Sequence, residues 1–143
     1  MLLPGVLERV RRTAVAEIVV VLGAHDLKTD ERAVRCPEWA RGPGASLRCG
    51  LDALPPEAEA AVVVLADGPK LAPAAVDRVI EHWRKKGGGI VAATYGGQRS
   101  HPVLVERSRW RAVPDEGLRN LEAIPVPCDD LGSPGDVDRP ADL

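Results

Sequence analysis

The chain has 143 residues, 45% hydrophobic and 28% charged, with a formal net charge of −2. That length suffices for one domain with a sizeable core, and the composition excludes a disordered or fibrous chain. Lys and Arg are scattered among the acids, so no basic face is offered to nucleic acid or anionic lipid, and neither is expected as a partner. No apolar stretch approaches the length of a membrane span, and the opening MLLPGVLERVRR lacks the charged-then-apolar order of a signal peptide; a cytoplasmic protein is expected. Phe is absent, so Val, Leu and Ala must fill the core. Cys36, Cys49 and Cys128 form no CxxC pair and read as reduced, mostly packed thiols.

In chain order, Gly5 to Ala16 is a short helix candidate with Val6, Leu7, Val10 and Val15 as its apolar positions. EIVVVLG, Glu17 to Gly23, is an unalternating apolar run closed by glycine, which predicts a buried strand and a tight turn. Ala33 to Cys36 is a short strand candidate. PEWARGPGASLRCGLDALPP opens with glycines and a proline, predicts a helix from about Ala45 or Ser46 with Leu47, Leu51 and Leu54 at helical spacing, and stops at Pro55-Pro56. VVVLADGPKL, Val62 to Leu71, carries a β-forming run into Asp67 and turns at Gly68-Pro69. A strand apolar at every position should be covered on both faces, which leaves Asp67 at its carboxyl end, where open α/β sheets hold their ligands.

Pro73 begins the clearest helix, with Val76, Val79, Ile80 and Trp83 on one stripe, His82 on the polar side, and an end at Lys85-Lys86 before three glycines. Gly89 to Thr94, HPVLVE from His101, and LEAIPVP from Leu121 are strand candidates, the last at a sheet edge because of its prolines. DDLGSPGDVDRPADL is an acidic, turn-rich tail. Strands alternating with helices predict a single α/β domain over residues 1–143 with a largely parallel sheet.

Three constellations carry chemistry. Gly42 and Gly44 permit a close backbone approach, and the helix after them offers unpaired N–H groups to an anion or a carbonyl; a plain strand-to-helix loop explains the same glycines. Asp67 pairs with Asp136 or Asp138 as a two-carboxylate Mg²⁺ site, or else caps a turn. YGGQRS, Tyr95 to Ser100, before His101, reads either as a β-turn or as a glycine segment that brings Arg99 to a phosphate. His25 lines a crevice or a solvated loop. Walker A, dinucleotide, GxSxG and HExxH motifs are all missing.

Taken in order, PEWARGPGASLRCGL, LADGP, YGGQRSHPVL, PDEGLR and GDVDRPADL resemble five segments of the MobA-like NTP transferase family, in its molybdenum cofactor cytidylyltransferase branch. Ser46 stands at the family's serine, Ser100 where glycine is usual, and GDVDRPADL is similar to a closing Asp-Ile-Asp-Thr-Pro-Glu-Asp-Leu. The resemblance implies a three-layer Rossmann-like nucleotidyltransferase fold that moves NMP from an NTP, CTP favoured, to a phosphorylated acceptor such as molybdopterin, with release of pyrophosphate. By the same resemblance, Asp67 and Asp138 hold Mg²⁺ with Asp136 beside them. Gly42, Gly44 and Ser46 meet the base and ribose, and His101, Glu116 and Arg119 face the acceptor.

The family's first strand and its Leu-Ala-Ala-Gly loop, which grips the triphosphate, have no counterpart before Gly5. The expectation is therefore an N-terminally truncated domain with an upstream continuation of the reading frame, and, for these residues alone, self-association through the exposed central sheet. The same feature supports a second reading, a catalytically inactive nucleotide-binding or regulatory remnant of the family. A phosphoacceptor receiver domain fits less well, because EIVVVLG ends without the acidic pair that such a site needs.

Overall fold

The structure is a computed structural model that describes Glu8, Arg11, Val15 and residues 19–22, 32–64 and 71–131. The predicted Gly5–Ala16 helix lies mostly outside the described residues; Glu8 and Arg11 are helical and exposed. Asp67, Asp136, Asp138 and His25 lie outside them as well. The described residues form two compact units, each assembled from separate stretches of chain: 62–64, 71–105 and 123–131 in one, 19–22, 32–61 and 106–122 in the other.

The first unit is built around strand β4 (Ile90–Tyr95), which is buried from Ile90 through Thr94. Its neighbours are β5 (Gln98–Glu106) on one side and β6 (Ile124–Pro127) on the other, in the order β3-β5-β4-β6 with β3 at Ala60–Val63. β4 and β5 are antiparallel and joined by Gly96-Gly97, with Tyr95 opposite Gln98. Both glycines have positive φ, 61° and 79°, as a two-residue hairpin whose twist matches its strands requires. β6 runs parallel to β4 and β5 antiparallel to it, so the sheet is mixed. Pro125 and Pro127 sit on β6 at the end of the described strand order, as its prolines predict, because a missing N–H there breaks no ladder on the outer side.

The second helix, α2 (Pro73–Lys86), packs over β4 and β6 through the buried side chains of Ala75, Val76, Val79 and Ile80. Pro73 starts it at a position whose N–H would have no intrahelical acceptor, and Arg84, Lys85 and Lys86 place positive charge on its C-terminal dipole. Trp83 is only half-buried at the margin of the apolar stripe, and His82 is half-buried rather than on the surface. β3 departs from expectation too. It begins at Ala60, and all four of its residues are only partly buried. The double-sided burial predicted for it belongs instead to β4, which has a strand on each side and α2 above; β3 ends the described order.

In the second unit, β1 (Val19–Leu22) and β2 (Arg32–Arg35) form a parallel pair, and helix α1 (Pro43–Asp52) packs on β1. Pro43 occupies the first turn of α1, so the helix begins before the predicted Ala45. Cys36 is buried and its thiol donates to the Ala45 carbonyl at 3.6 Å; Cys49 faces the Arg35 carbonyl at 3.8 Å, and burial, with Cys36 close by, pushes its thiol up to about 11. All three cysteines are free thiols, and Cys128 is fully buried. A six-residue 3-10 helix, Arg107–Ala112, is held by Arg107, which donates to the carbonyls of Pro55 and Ala58 and lies 4.5 Å over the ring of buried Trp110. No helix among the described residues is long and apolar enough to cross a membrane.

Leu104 is among the largest fully buried side chains in the first unit. We predict that Leu104→Ala lowers stability by about 2–5 kcal/mol, the range for removing a buried leucine side chain. Urea unfolding of parent and variant checks this; a change below about 1 kcal/mol would show that β5 is not core.

Candidate functional site

The glycine segment of the second unit is built against the chain's own 114–117 turn. Gly42 has φ 137°, a conformation that residues with a side chain rarely adopt, and a Cβ there would strike the carbonyl of Asp115. A Cβ on Gly44 would overlap the carbonyl of Pro114 and come within 2.9 Å of the Gly117 amide. The glycines therefore permit a close approach, and what approaches is backbone. The Gly44 amide donates to the Asp115 carbonyl at 2.8 Å, and the amides of Ala45 and Ser46 donate to the Gly42 carbonyl. This corrects the expectation of unpaired N–H groups in the first turn of α1: an internal carbonyl has taken the leading one.

Side chains complete the junction. Arg48, one turn into α1, donates through Nη1 to the Val113 carbonyl and through Nη2 to Asp115 Oδ1 at 2.5 Å. Arg41 donates to Asp115 Oδ2 at 3.3 Å and to Glu38 Oε2 at 2.6 Å. Two guanidinium groups thus share one carboxylate, a charge-assisted arrangement that holds the Asp115 pKa below the usual carboxylate value, chiefly through the Arg48 bond. Beyond Asp115 the turn presents Glu116 and Arg119, both exposed. Of the residues singled out by sequence, Gly42, Gly44, Ser46, Glu116 and Arg119 are therefore gathered in one unit, with Gly42 and Gly44 in direct contact with the 114–117 turn that carries Glu116, and Arg119 in the turn that follows.

His101 lies in the first unit, on β5, buried at 7% exposure, and its carbonyl accepts from the Tyr95 hydroxyl at 3.4 Å. Arg99 is half-buried, and burial lowers its pKa. Burial also pushes the Tyr95 phenol up to about 12. The acidic turn after β6 is fastened on two sides: Arg78 of α2 grips Asp130 with two bonds, 2.7 and 2.9 Å, and reaches the Pro127 carbonyl, while Asp129 accepts from the Gly96 amide at 2.6 Å. The Cys128 amide donates to the Thr94 carbonyl at 2.8 Å. β3 leads toward Asp67, and the Asp129–Leu131 turn leads toward Asp136 and Asp138. Among the described residues no group of three His, Cys, Asp or Glu could hold a metal ion. Arg48, Asp115, Arg78 and Asp130 were not visible as partners in the sequence, because each pair is joined only by the fold; the nearest signals were Arg48 just after Ser46 and the Asp-Asp step after Cys128.

Two outcomes follow from this geometry. Gly44→Ala should destabilise the protein by about 1–3 kcal/mol, the cost of forcing atoms into a packed site, and thermal unfolding measures it; an unchanged midpoint would mean that the turn yields freely. Asp130 also has a pKa lowered by Arg78, so its pair contributes stability above the unfolded carboxylate value near 3.8 and loses it as pH falls through the lower folded value. The stability gap between the parent and Asp130→Asn should accordingly close on acidification, and a gap that stays constant with pH would contradict the ion pair.

Residues 1–123 match the MobA-like NTP transferase domain family. The chain superposes on Rv0371c from Mycobacterium tuberculosis H37Rv with a TM-score of 0.76 at 24% identity, covering 99% of this chain and 81% of that one. For the Rv0371c homologue from Mycobacterium sp. strain JC1 the values are 0.78 and 23%, with 99% and 79% covered. For the M. tuberculosis H37Rv protein in complex with manganese they are 0.76 and 25%, with 99% and 83% covered. A comparison with curated proteins gave no match. The α/β fold with its mixed sheet is that of these neighbours, and the chain belongs to the MobA-like NTP transferase domain family.

Proposed function

We propose that this nucleotidyltransferase moves a nucleoside monophosphate from CTP to a phosphorylated acceptor of the molybdopterin type. A phosphate oxygen of the acceptor attacks the α-phosphorus, the bond from that phosphorus to the bridging oxygen of the β-phosphate breaks, and pyrophosphate leaves. The observation that carries this reading is the family match over residues 1–123, which runs through the PEWARGPGASLRCGL, LADGP, YGGQRSHPVL and PDEGLR segments. In such a transfer the protein's work is to align donor and acceptor and to offset charge.

On this reading the segment of Gly42, Gly44 and Ser46 borders the base and ribose, with Gly42 and Gly44 seating it on the 114–117 turn, and His101, Glu116 and Arg119 are the proposed acceptor residues. Asp67, Asp138 and Asp136 are the proposed metal ligands. All are carboxylates, hard oxygen donors of the kind that Mg²⁺ and Mn²⁺ take, and one of the similar solved structures is a complex with manganese. Bound among the phosphates, the ion would supply charge neutralisation as pyrophosphate departs. The arginine-held turn fixes the backbone at Asp115, next to Glu116, beside the glycine segment, which would lower the ordering entropy lost there on binding.

Calorimetric titration with CTP and Mg²⁺ tests the metal assignment. Asp67→Asn should weaken metal-dependent CTP binding by tenfold or more, and cost several kcal/mol of transition-state stabilisation, because one of very few carboxylate ligands is lost. Metal-dependent binding as tight as in the parent would remove Asp67 from the site. Nucleotide binding by the parent without any pyrophosphate release would move the protein to the regulatory reading.

A further inference from the structure

We infer that Arg48 and Asp115 are positioning residues, a pair that sets where the acceptor-facing turn stands against the nucleotide-facing segment; this rests on the transfer reaction proposed above. Arg48 projects from α1 and takes two acceptors on the turn at once, the Val113 carbonyl and Asp115 Oδ1. Asp115 answers with three bonds back to the glycine segment and its flanks: its carboxylate accepts from Arg48 and Arg41, and its carbonyl accepts from the Gly44 amide. The pair is partly shielded, the Arg48 side chain being 27% exposed and that of Asp115 40%. Its neighbours on the turn differ in burial: Val113 and Gly117 are buried, Glu116 and Arg119 exposed. The turn is thus held at Val113, Asp115 and Gly117, with Glu116 exposed on it and Arg119 exposed in the turn that follows.

A lysine at position 48 cannot replace this arginine. The planar fork reaches two acceptors in fixed geometry, whereas an ammonium on a flexible stem acts as a single point charge. Neither Arg48 nor Asp115 needs to touch substrate. Each acts through the turn, by fixing the offset between Ser46 on one element and Glu116 and Arg119 on the other.

The test compares the parent with Arg48→Ala, Arg48→Lys and Asp115→Asn by three readouts: CTP affinity by calorimetry, KM and kcat for molybdopterin from pyrophosphate release, and thermal midpoint. The expected result is a tenfold or greater rise in acceptor KM in all three variants, CTP affinity within about twofold of the parent, and little rescue by lysine. Equal losses for both substrates, tracking the fall in thermal midpoint, would reduce the pair to a structural tie and overturn the inference. So would full rescue by lysine. If the parent releases no pyrophosphate, the proposed reaction fails on its own, and amide exchange then decides the pair: faster exchange across 113–119 with α1 unchanged supports the tether, and unchanged exchange in Arg48→Ala overturns it.

Discussion

The hydrogen bond from the Gly44 amide to the Asp115 carbonyl is the contact around which the second unit is organised. Two stretches far apart in sequence meet there with no side chain between them. An unpaired backbone group buried at such a junction would cost about 1–3 kcal/mol, so the helix's leading amide and the turn's carbonyl each need the other. The contact imposes glycine at 44 for space and at 42 for backbone conformation. It also leaves the Asp115 carboxylate beside α1, where Arg48 and Arg41 supply its partners. From one backbone bond follow two glycines, two arginines and the placement of the residues on the far side of the turn.

A comparable economy holds in the first unit. β4 is buried throughout its first five residues, with a strand along each edge and α2 packed over it. The hairpin at Gly96-Gly97 returns the chain at once along β5, and the Gly96 amide also donates to Asp129. With Arg78 holding Asp130, the segment after β6 is anchored to the hairpin and to α2 before the chain continues toward its acidic tail. Anchoring of this kind lowers the entropy cost of bringing carboxylates from distant strand ends to one ion, which is the arrangement proposed for Asp67 and Asp138.

Much of the fold could be read from local pattern. The Pro73 helix announced itself by its apolar spacing, its N-terminal proline and its trailing glycines; the edge position of β6 followed from Pro125 and Pro127, and the hairpin from adjacent glycines. Non-local effects were hidden. The Val62 run is as apolar as a central strand, yet β3 lies at the end of the described order and stays half-exposed, because burial depends on neighbours that the run itself does not encode. Gly42 and Gly44 were legible as a close approach but not as an approach to Pro114 and Asp115, since a glycine records only that something comes near. Proline at 43 did mark the start of α1, a signal outweighed by the glycines around it. Arg48 and Asp115 stand 67 positions apart, beyond the reach of any periodicity. For the site itself, motif order was enough to identify the family, and Asp67, Asp136 and Asp138 are proposed as metal ligands from residue type and resemblance.

The most direct measurement of the central claim follows the nucleotide's α-phosphate. With CTP labelled at that phosphate, Mg²⁺ and molybdopterin, the account predicts that label appears in a larger product in equal amount to the pyrophosphate released, and that label at the γ-phosphate leaves only with pyrophosphate. Retention of the α-label in CTP, or its release as free CMP without transfer to the acceptor, would contradict it.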